Sequence, residues 1–248
     1  MWTVIVTLLS DFGVADTYVG QMKASVLGVA PSAALVDLTH AVGAQDVFGG
    51  AFLLWTAVEA FAARTVHLAV VDPGVGSARR GVAARAARGD LFVGPDNGLL
   101  VPALERLGGC VVAVELTRHD YWLPSASSTF HGRDIFGPIA GHLANGVPLE
   151  RLGDPVELER PYEIALAYGD EGVVLHVDAF GNLITNLTCD RGVIVNGVGV
   201  PRRPYYAAAQ PGELLALIGS SGLLEISARD GSAALILGAR RGDVVTVR

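Results

Sequence analysis

Three short apolar runs, residues 4–9, 34–38 and 66–71, recur in the first third of the chain, and two segments of helical spacing separate them. No other feature narrows the fold as much. Continuous β-branched runs suit strands buried on both faces, and strands alternating with helices make parallel sheets through right-handed crossovers. The first intervening segment puts Val19, Met22, Val26 and Val29 at helical spacing, with Asp16 as an N-cap and Pro31 as a stop. The second follows Asp46, another N-cap candidate, and covers 47–62 with Phe48, Phe52, Trp55 and Phe61. An α/β domain with a mostly parallel sheet is expected.

Beyond the third run the rhythm changes. Stretches 81–87 and 91–93 flank Arg88-Gly89-Asp90 as the arms of a hairpin would. Asn97-Gly98 opens a short helix to Leu107, 111–116 is a buried strand, 117–129 a loop, and 132–145 helical. Pro148, Asp154-Pro155 and Pro161 mark a linker over 151–161, dividing an α/β domain, 1–150, from a second domain, 162–248. In the second domain, 173–177, 192–200, 214–218, 223–226, 233–237 and 244–247 read as short β-type runs punctuated by Gly, Pro, Asn and Asp, without an amphipathic helix. A smaller all-β, barrel-like domain is expected there.

With 51% apolar and 17% charged residues the chain can bury a sizeable core. A net charge of −7 argues against a nucleic-acid partner, whose phosphates call for an excess of Lys and Arg. No apolar stretch reaches membrane-spanning length without Gly, Pro or a charge. The opening Met1-Trp2-Thr3 has no basic region and Asp11 comes early for a signal peptide, so a cytoplasmic protein is expected. Cys110 and Cys189 stand in unrelated contexts and suit free thiols. His40, His67, His119, His142 and His176 show no metal-ligand spacing and receive no role.

The chemistry-bearing residues cluster at strand ends. The run 66–71 stops at Asp72, followed by Pro73-Gly74-Val75-Gly76-Ser77-Ala78 and then Arg79-Arg80. In open α/β sheets ligands collect past the carboxyl ends of the strands. The glycine loop is not a dinucleotide fingerprint: Arg79 stands where Gly or Ala belongs, and a hairpin comes next where a helix is needed. Asp72 and Arg79 suit either a brace within the loop or the handling of a polar ligand or water. His131, beside Gly132 at the mouth of a helix, is either a packed residue or a base. Asp11 ends the first run and suits a turn or, as a two-oxygen acceptor, a diol. In the second domain, Asp178, Phe180 and Asn182 suit a β-turn, or a carboxylate for an ammonium, a face for a purine and an amide for its edge. Ser220 and Ser221 stand in a Gly-Ser-Ser-Gly turn that can also present donors to a carboxylate.

Together these stretches resemble the S-adenosylmethionine hydroxide adenosyltransferase family, relatives of the fluorinating and chlorinating enzymes. The resemblance rests on Leu8-Leu9-Ser10-Asp11-Phe12-Gly13 with Tyr18-Val19-Gly20 and Met22-Lys23, on Val71-Asp72-Pro73-Gly74-Val75-Gly76, on Gly94-Pro95-Asp96-Asn97-Gly98, on Thr129-Phe130-His131-Gly132-Arg133-Asp134, and on Phe180-Gly181-Asn182 with Thr185-Asn186. It spans nearly the whole chain. It implies hydrolysis of S-adenosyl-L-methionine to adenosine and L-methionine, without metal or redox cofactor. It implies a homotrimer whose sites combine one subunit's first domain with a neighbour's second. By the same resemblance Asp72, Arg79 and His131 form the catalytic set. Asp11 contacts the ribose, Asp178 the methionine ammonium and Asn182 the adenine, and Ser220 and Ser221 lie near the methionine carboxylate. The spacing favours Arg79 over Arg80 as the inward arginine. The halogenating relatives carry an extended loop after the region of Gly76 and lack the Asp-Arg-His set, which favours water as the nucleophile. A halide-using adenosyltransferase and a non-catalytic adenosine or S-adenosylmethionine binder are the alternatives.

Overall fold

The structure is a computed structural model and describes residues 3–248; Met1 and Trp2, the first residues of the opening stretch, lie outside the described residues. The chain splits into two compact units, Met1–Glu163 and Ile164–Arg248.

The first unit holds seven strands: β1 (Ile5–Ser10), β2 (Ala34–Thr39), β3 (Val66–Val70), β4 (Gly81–Ala86), β5 (Leu91–Pro95), β6 (Cys110–Glu115) and β7 (Asp154–Pro155). Their order in the sheet is β2-β1-β3-β5-β4-β6-β7. The first four are mutually parallel and the far three antiparallel. Alternation along the strands feeds two cores. Val66, Leu68 and Val70 face one side with Val6 and Leu8, beneath α1 (Tyr18–Val29) and the last helix of the unit. Ala69 and Val71 face the other side with Leu9, beneath α2 (Val47–Ala57) and α3 (Val101–Arg106). That last helix, α4 (Gly137–Ala144), continues a single wide i→i+5 turn, Gly132–Phe136. Among the described residues no helix is long and apolar enough to cross a membrane.

Three local expectations need correcting in this unit. The N-cap of α1 is Thr17, not Asp16, and its side chain makes no capping bond. The helix expected over 47–62 ends as α at Ala57 and tightens to a 3₁₀ turn, Val58–Ala60. Asn97 does not open a helix; its amide donates to the Val71 carbonyl at 2.9 Å and accepts from Leu99 N–H, an Asx turn that delays α3 to Val101. The stretch 151–161 is tied to this unit, through β7 and through Glu159 N–H donating to Asp96 at 2.9 Å.

The second unit also has seven strands: β8 (Glu171–Val177), β9 (Leu183–Thr185), β10 (Val193–Val195), β11 (Val198–Val200), β12 (Leu214–Ile218), β13 (Leu224–Ala228) and β14 (Val244–Val247). All pairings along the order β11-β10-β14-β8-β9-β13-β12 are antiparallel. The segment after β11 returns to β12: Ala216 N–H donates to Pro201 and Arg203 N–H to Ala216, each at 2.9 Å, which closes the sheet into a barrel. Val174, Leu183, Val195, Leu224, Ile226 and Val245 fill it.

The run 192–200 is two strands joined by Asn196-Gly197, both at positive φ, as a tight hairpin requires. The run 233–237 is helix α5 (Ala233–Leu237), not a strand. Ser232 caps it by accepting from Leu235 N–H, and Gly238 ends it in the left-handed region. Five apolar residues cannot distinguish helix from strand by periodicity; the flanking Ser and Gly decide it.

Candidate active site

The site in the first unit starts where β3 ends. Asp72 leaves the strand into a loop braced by its own backbone: Val75 N–H donates to Asp72 C=O and Ser77 N–H to Gly74 C=O. The Ser77 hydroxyl donates to the Gly74 carbonyl and accepts from Arg79 N–H. This turns Arg79 back over Asp72. Its Nε donates to Asp72 Oδ1 at 2.8 Å and its Nη2 to Oδ2, a bidentate pair with both side chains largely buried. The same Nη2 lies 3.0 Å from His131 Nδ1. Arg80 turns the other way, onto Asp96 and the Glu157 carbonyl. Arg79 is therefore the arginine that meets Asp72 and His131.

Arginine has no acceptor, so its contact fixes His131 Nδ1 as the accepting nitrogen and puts the proton of the neutral ring on Nε2. Burial and the Arg79 charge hold the imidazole below its ordinary value, against the opposing pull of Asp72 and Asp134. The ring is thus neutral near pH 7. It precedes the wide Gly132–Phe136 turn, and Phe136 packs edge-on to it while lying under the Arg79 guanidinium. Wide turns of this kind recur at functional sites because they displace the helix start.

Gly76 is what lets the two loops meet. At φ +77 a Cβ would lie 2.2 Å from the Ser128 carbonyl oxygen, so only glycine fits. Asp11, at the end of β1, shares a pocket of about 240 Å³ with Asp72, His131, Phe12 and Phe130. One Asp11 oxygen accepts from the Gln45 N–H at 2.9 Å, and Gln45 adopts a left-handed backbone to deliver it. The structure so brings Asp11, Asp72, Arg79 and His131 together from three separate segments, the β3–β4 loop supplying both Asp72 and Arg79.

In the second unit Asp178 ends β8 and organises the turn after it. Oδ1 accepts from the N–H groups of Phe180 and Asn182, and Oδ2 from the Asn182 amide, all at 2.9 Å. Asn182 keeps its amide oxygen for another partner. Phe180 is 79% exposed, an unusual cost for a bare aromatic face. Phe180 and Asn182 line a 640 Å³ pocket with Tyr206 and Arg229. Sequence reasoning missed those last two and Glu225, which is buried and accepts from Tyr206 at 2.5 Å and Ser227 at 2.7 Å. Burial and Glu225 push the Tyr206 phenol up to about 12. A lone Glu inside the apolar run 223–226 was the available signal. Ser220 and Ser221 sit on the β12–β13 turn and are not among the residues lining that pocket. Among the described residues no cluster of His, Cys, Asp or Glu could hold a metal ion.

An α/β unit with an Asp-Arg-His cluster past its strand ends, in one chain with a small antiparallel barrel, defines a class of two-domain protein, and comparison with known sequences says which. Residues 6–153 match the SAM hydroxide adenosyltransferase N-terminal domain and residues 172–246 its C-terminal domain, so the chain belongs to that family. It is 43% identical over 249 residues to an (R)-S-adenosyl-L-methionine hydrolase of Thermus thermophilus, covering 96% of each chain. A fluorinase of Actinoplanes sp. is more distant, 27% identical over 289 residues and covering 98% of this chain and 97% of that one. The crystal structure of an uncharacterized conserved protein from Thermotoga maritima matches with a TM-score of 0.92 at 33% identity, over 98% of this chain and 100% of that one.

Proposed function

We propose that this protein hydrolyses S-adenosyl-L-methionine by attack of water at ribose C5′, releasing adenosine and L-methionine. The observation that carries the residue roles is the contact of Arg79 with both Asp72 and His131, two residues that line one pocket with Asp11. The sulfonium leaves as a neutral thioether and needs no acid. The difficulty lies in the nucleophile, since neutral water is weak. Arg79, charged at any working pH, stabilises the hydroxide as it forms. A water seated against Arg79 and His131 gives its proton to His131 Nδ1 while the Arg79 N–H that bonded Nδ1 turns to the new hydroxide. The oxygen then forms the bond to C5′ as the C5′–sulfur bond breaks. Asp72 fixes the guanidinium through both its oxygens. Asp11 holds the ribose diol, and Phe180 and Asn182 take the adenine. Asp178 faces the methionine ammonium, and Ser220 and Ser221 the methionine carboxylate.

Asp11 and Asn182 lie in different units of one chain. We infer a homotrimer in which one subunit's first unit and a neighbour's second unit serve the same substrate, working in the cytoplasm.

The test is product analysis with purified protein and S-adenosylmethionine. Adenosine and methionine in equal amounts support the reading. S-adenosylhomocysteine identifies methyl transfer, a 5′-halo-deoxyadenosine in high chloride identifies halide transfer, and binding without turnover identifies a carrier; each of these overturns it. Asp72→Asn, Arg79→Lys or His131→Asn is expected to cut turnover by a factor on the order of 10²–10⁴.

A further inference from the structure

Behind the strand end that carries Asp11 runs a chain of side chains with no part in the reaction above. Ser10 Oγ lies 2.7 Å from His40 Nδ1, His40 Nε2 lies 3.1 Å from Asp37 Oδ1, and Lys23 donates to Asp37 Oδ2 at 2.6 Å. Ser10 is 0% and His40 5% exposed. The direction of the chain is set by its ends. Asp37 is half-exposed; burial raises its pKa, but Lys23 and His40 outweigh burial and keep it an acceptor-only carboxylate. His40 Nε2 therefore carries the ring proton, Nδ1 accepts, and the Ser10 hydroxyl donates to it. Ser10 Oγ in turn accepts from Phe12 N–H at 3.3 Å.

A hydroxyl–imidazole–carboxylate series is the arrangement that activates serine nucleophiles. Here the hydroxyl is sealed from solvent and held between His40 and the Phe12 N–H, so nucleophilic chemistry is excluded. Its position indicates another use. The β1–β2 register slips between Leu8 and Leu9, which pair with Asp37 and Thr39, and such a bulge re-aims the residues beyond it. It delivers His40 to Ser10. The main chain repeats the link: Gly13 N–H donates to the His40 carbonyl at 2.7 Å, and Val42 N–H to the Ser10 carbonyl at 3.4 Å. Asp11 is thus framed on both sides by bonds to one histidine or its neighbours.

We propose that Ser10 and His40, anchored by Asp37 and Lys23, are positioning residues that fix the turn 10–13 and so aim the Asp11 carboxylate at the ribose. This rests on the reading of Asp11 as the diol contact. With the full chain and S-adenosylmethionine, Ser10→Ala and His40→Gln raise KM by about 5- to 10-fold, the worth of one hydrogen bond, and leave kcat nearly unchanged. His40→Asn puts its amide oxygen where Nδ1 stands, still accepts from Ser10, and keeps KM near that of the parent. In an Asp11→Asn background Ser10→Ala adds nothing further to KM, because the two act through one contact. Calorimetric binding of adenosine to the same variants gives the comparison independently of turnover. The relay is overturned if Asp11→Asn raises KM but Ser10→Ala does not, if the two effects add, or if His40→Asn and His40→Gln are equally impaired. If Asp11→Asn itself leaves KM and adenosine affinity unchanged, the diol reading fails and takes the relay with it.

Discussion

Gly76 and His131 show how much of the site hangs on single residues. The loop that supplies Asp72 and Arg79 touches the loop that supplies His131 through a glycine whose Cβ would overlap a carbonyl. Gly76→Ala must push the loops apart, and displacements of this size near reacting atoms cost on the order of 10²-fold in rate. A kcat/KM measurement on Gly76→Ala, with Gly146→Ala as a positive-φ comparison where a Cβ meets nothing within 4 Å, separates contact from backbone strain. For His131 the sign of the pH dependence is set by its depressed pKa. The neutral ring accepts the proton, so kcat/KM is level above the ordinary imidazole value near 6.5 and falls only below it. A pH–rate profile in which His131→Gln abolishes the acid limb supports the assignment. An unchanged limb in that variant removes His131 as the acceptor.

Among the elements, α5 and the strand pair β1–β3 carry predictions of stability. Ser232 caps α5, and Ala234 N–H donates to the Gly181 carbonyl, so this five-residue helix braces the turn bearing Phe180 and Asn182. Ser232→Ala should destabilise the second unit by about 1 kcal/mol, read from its urea midpoint. In the first unit His67 is fully buried, with Nδ1 2.7 Å from Thr7 Oγ1 and Nε2 3.5 Å from Asp90. Burial holds its pKa down, with the Asp90 interactions pulling the other way. The unfolded chain therefore takes up this proton first, and the stability from neutral His67 is present above about pH 6.5 and lost as pH falls below it. Thermal melts from pH 7 to pH 5 should show a shallower loss in His67→Gln than in the parent. The elements divide in how legible they were. The three first strands and α1 and α2 announced themselves by continuous apolar runs and helical spacing. α5 did not, because its length is too short for a period to register, and the true start of α3 was hidden because Asn97 serves the Val71 carbonyl. Asp72, Arg79 and His131 were legible as strand-end and loop residues. Tyr206 and Glu225 were not, since their pairing depends on barrel register between segments 19 residues apart.

At the scale of the whole molecule, each unit carries only part of the recognition expected for a nucleoside-bearing sulfonium: Asp11 with the Asp72–Arg79–His131 cluster in one, Phe180 and Asn182 in the other. The proposed shared site in a homotrimer makes a sharp prediction. Arg79→Lys and Asn182→Ala proteins, each nearly inactive, should recover part of the parent activity when dissociated and reassembled together, because some mixed sites then hold two intact halves; no recovery places both halves of a site within one chain. Light scattering checks the trimer itself. The barrel character of the second unit was legible from its short β-type runs punctuated by Gly, Pro, Asn and Asp, whereas the closure of the barrel at Ala216 depends on contacts that no local pattern records. The central claim is that water, handled by Asp72, Arg79 and His131, attacks C5′. Turnover of S-adenosylmethionine in ¹⁸O-water, with mass spectrometry of the adenosine formed, tests it directly. The account predicts one ¹⁸O at the adenosine 5′-oxygen and none in methionine; unlabelled adenosine, or a product other than adenosine and methionine, contradicts it.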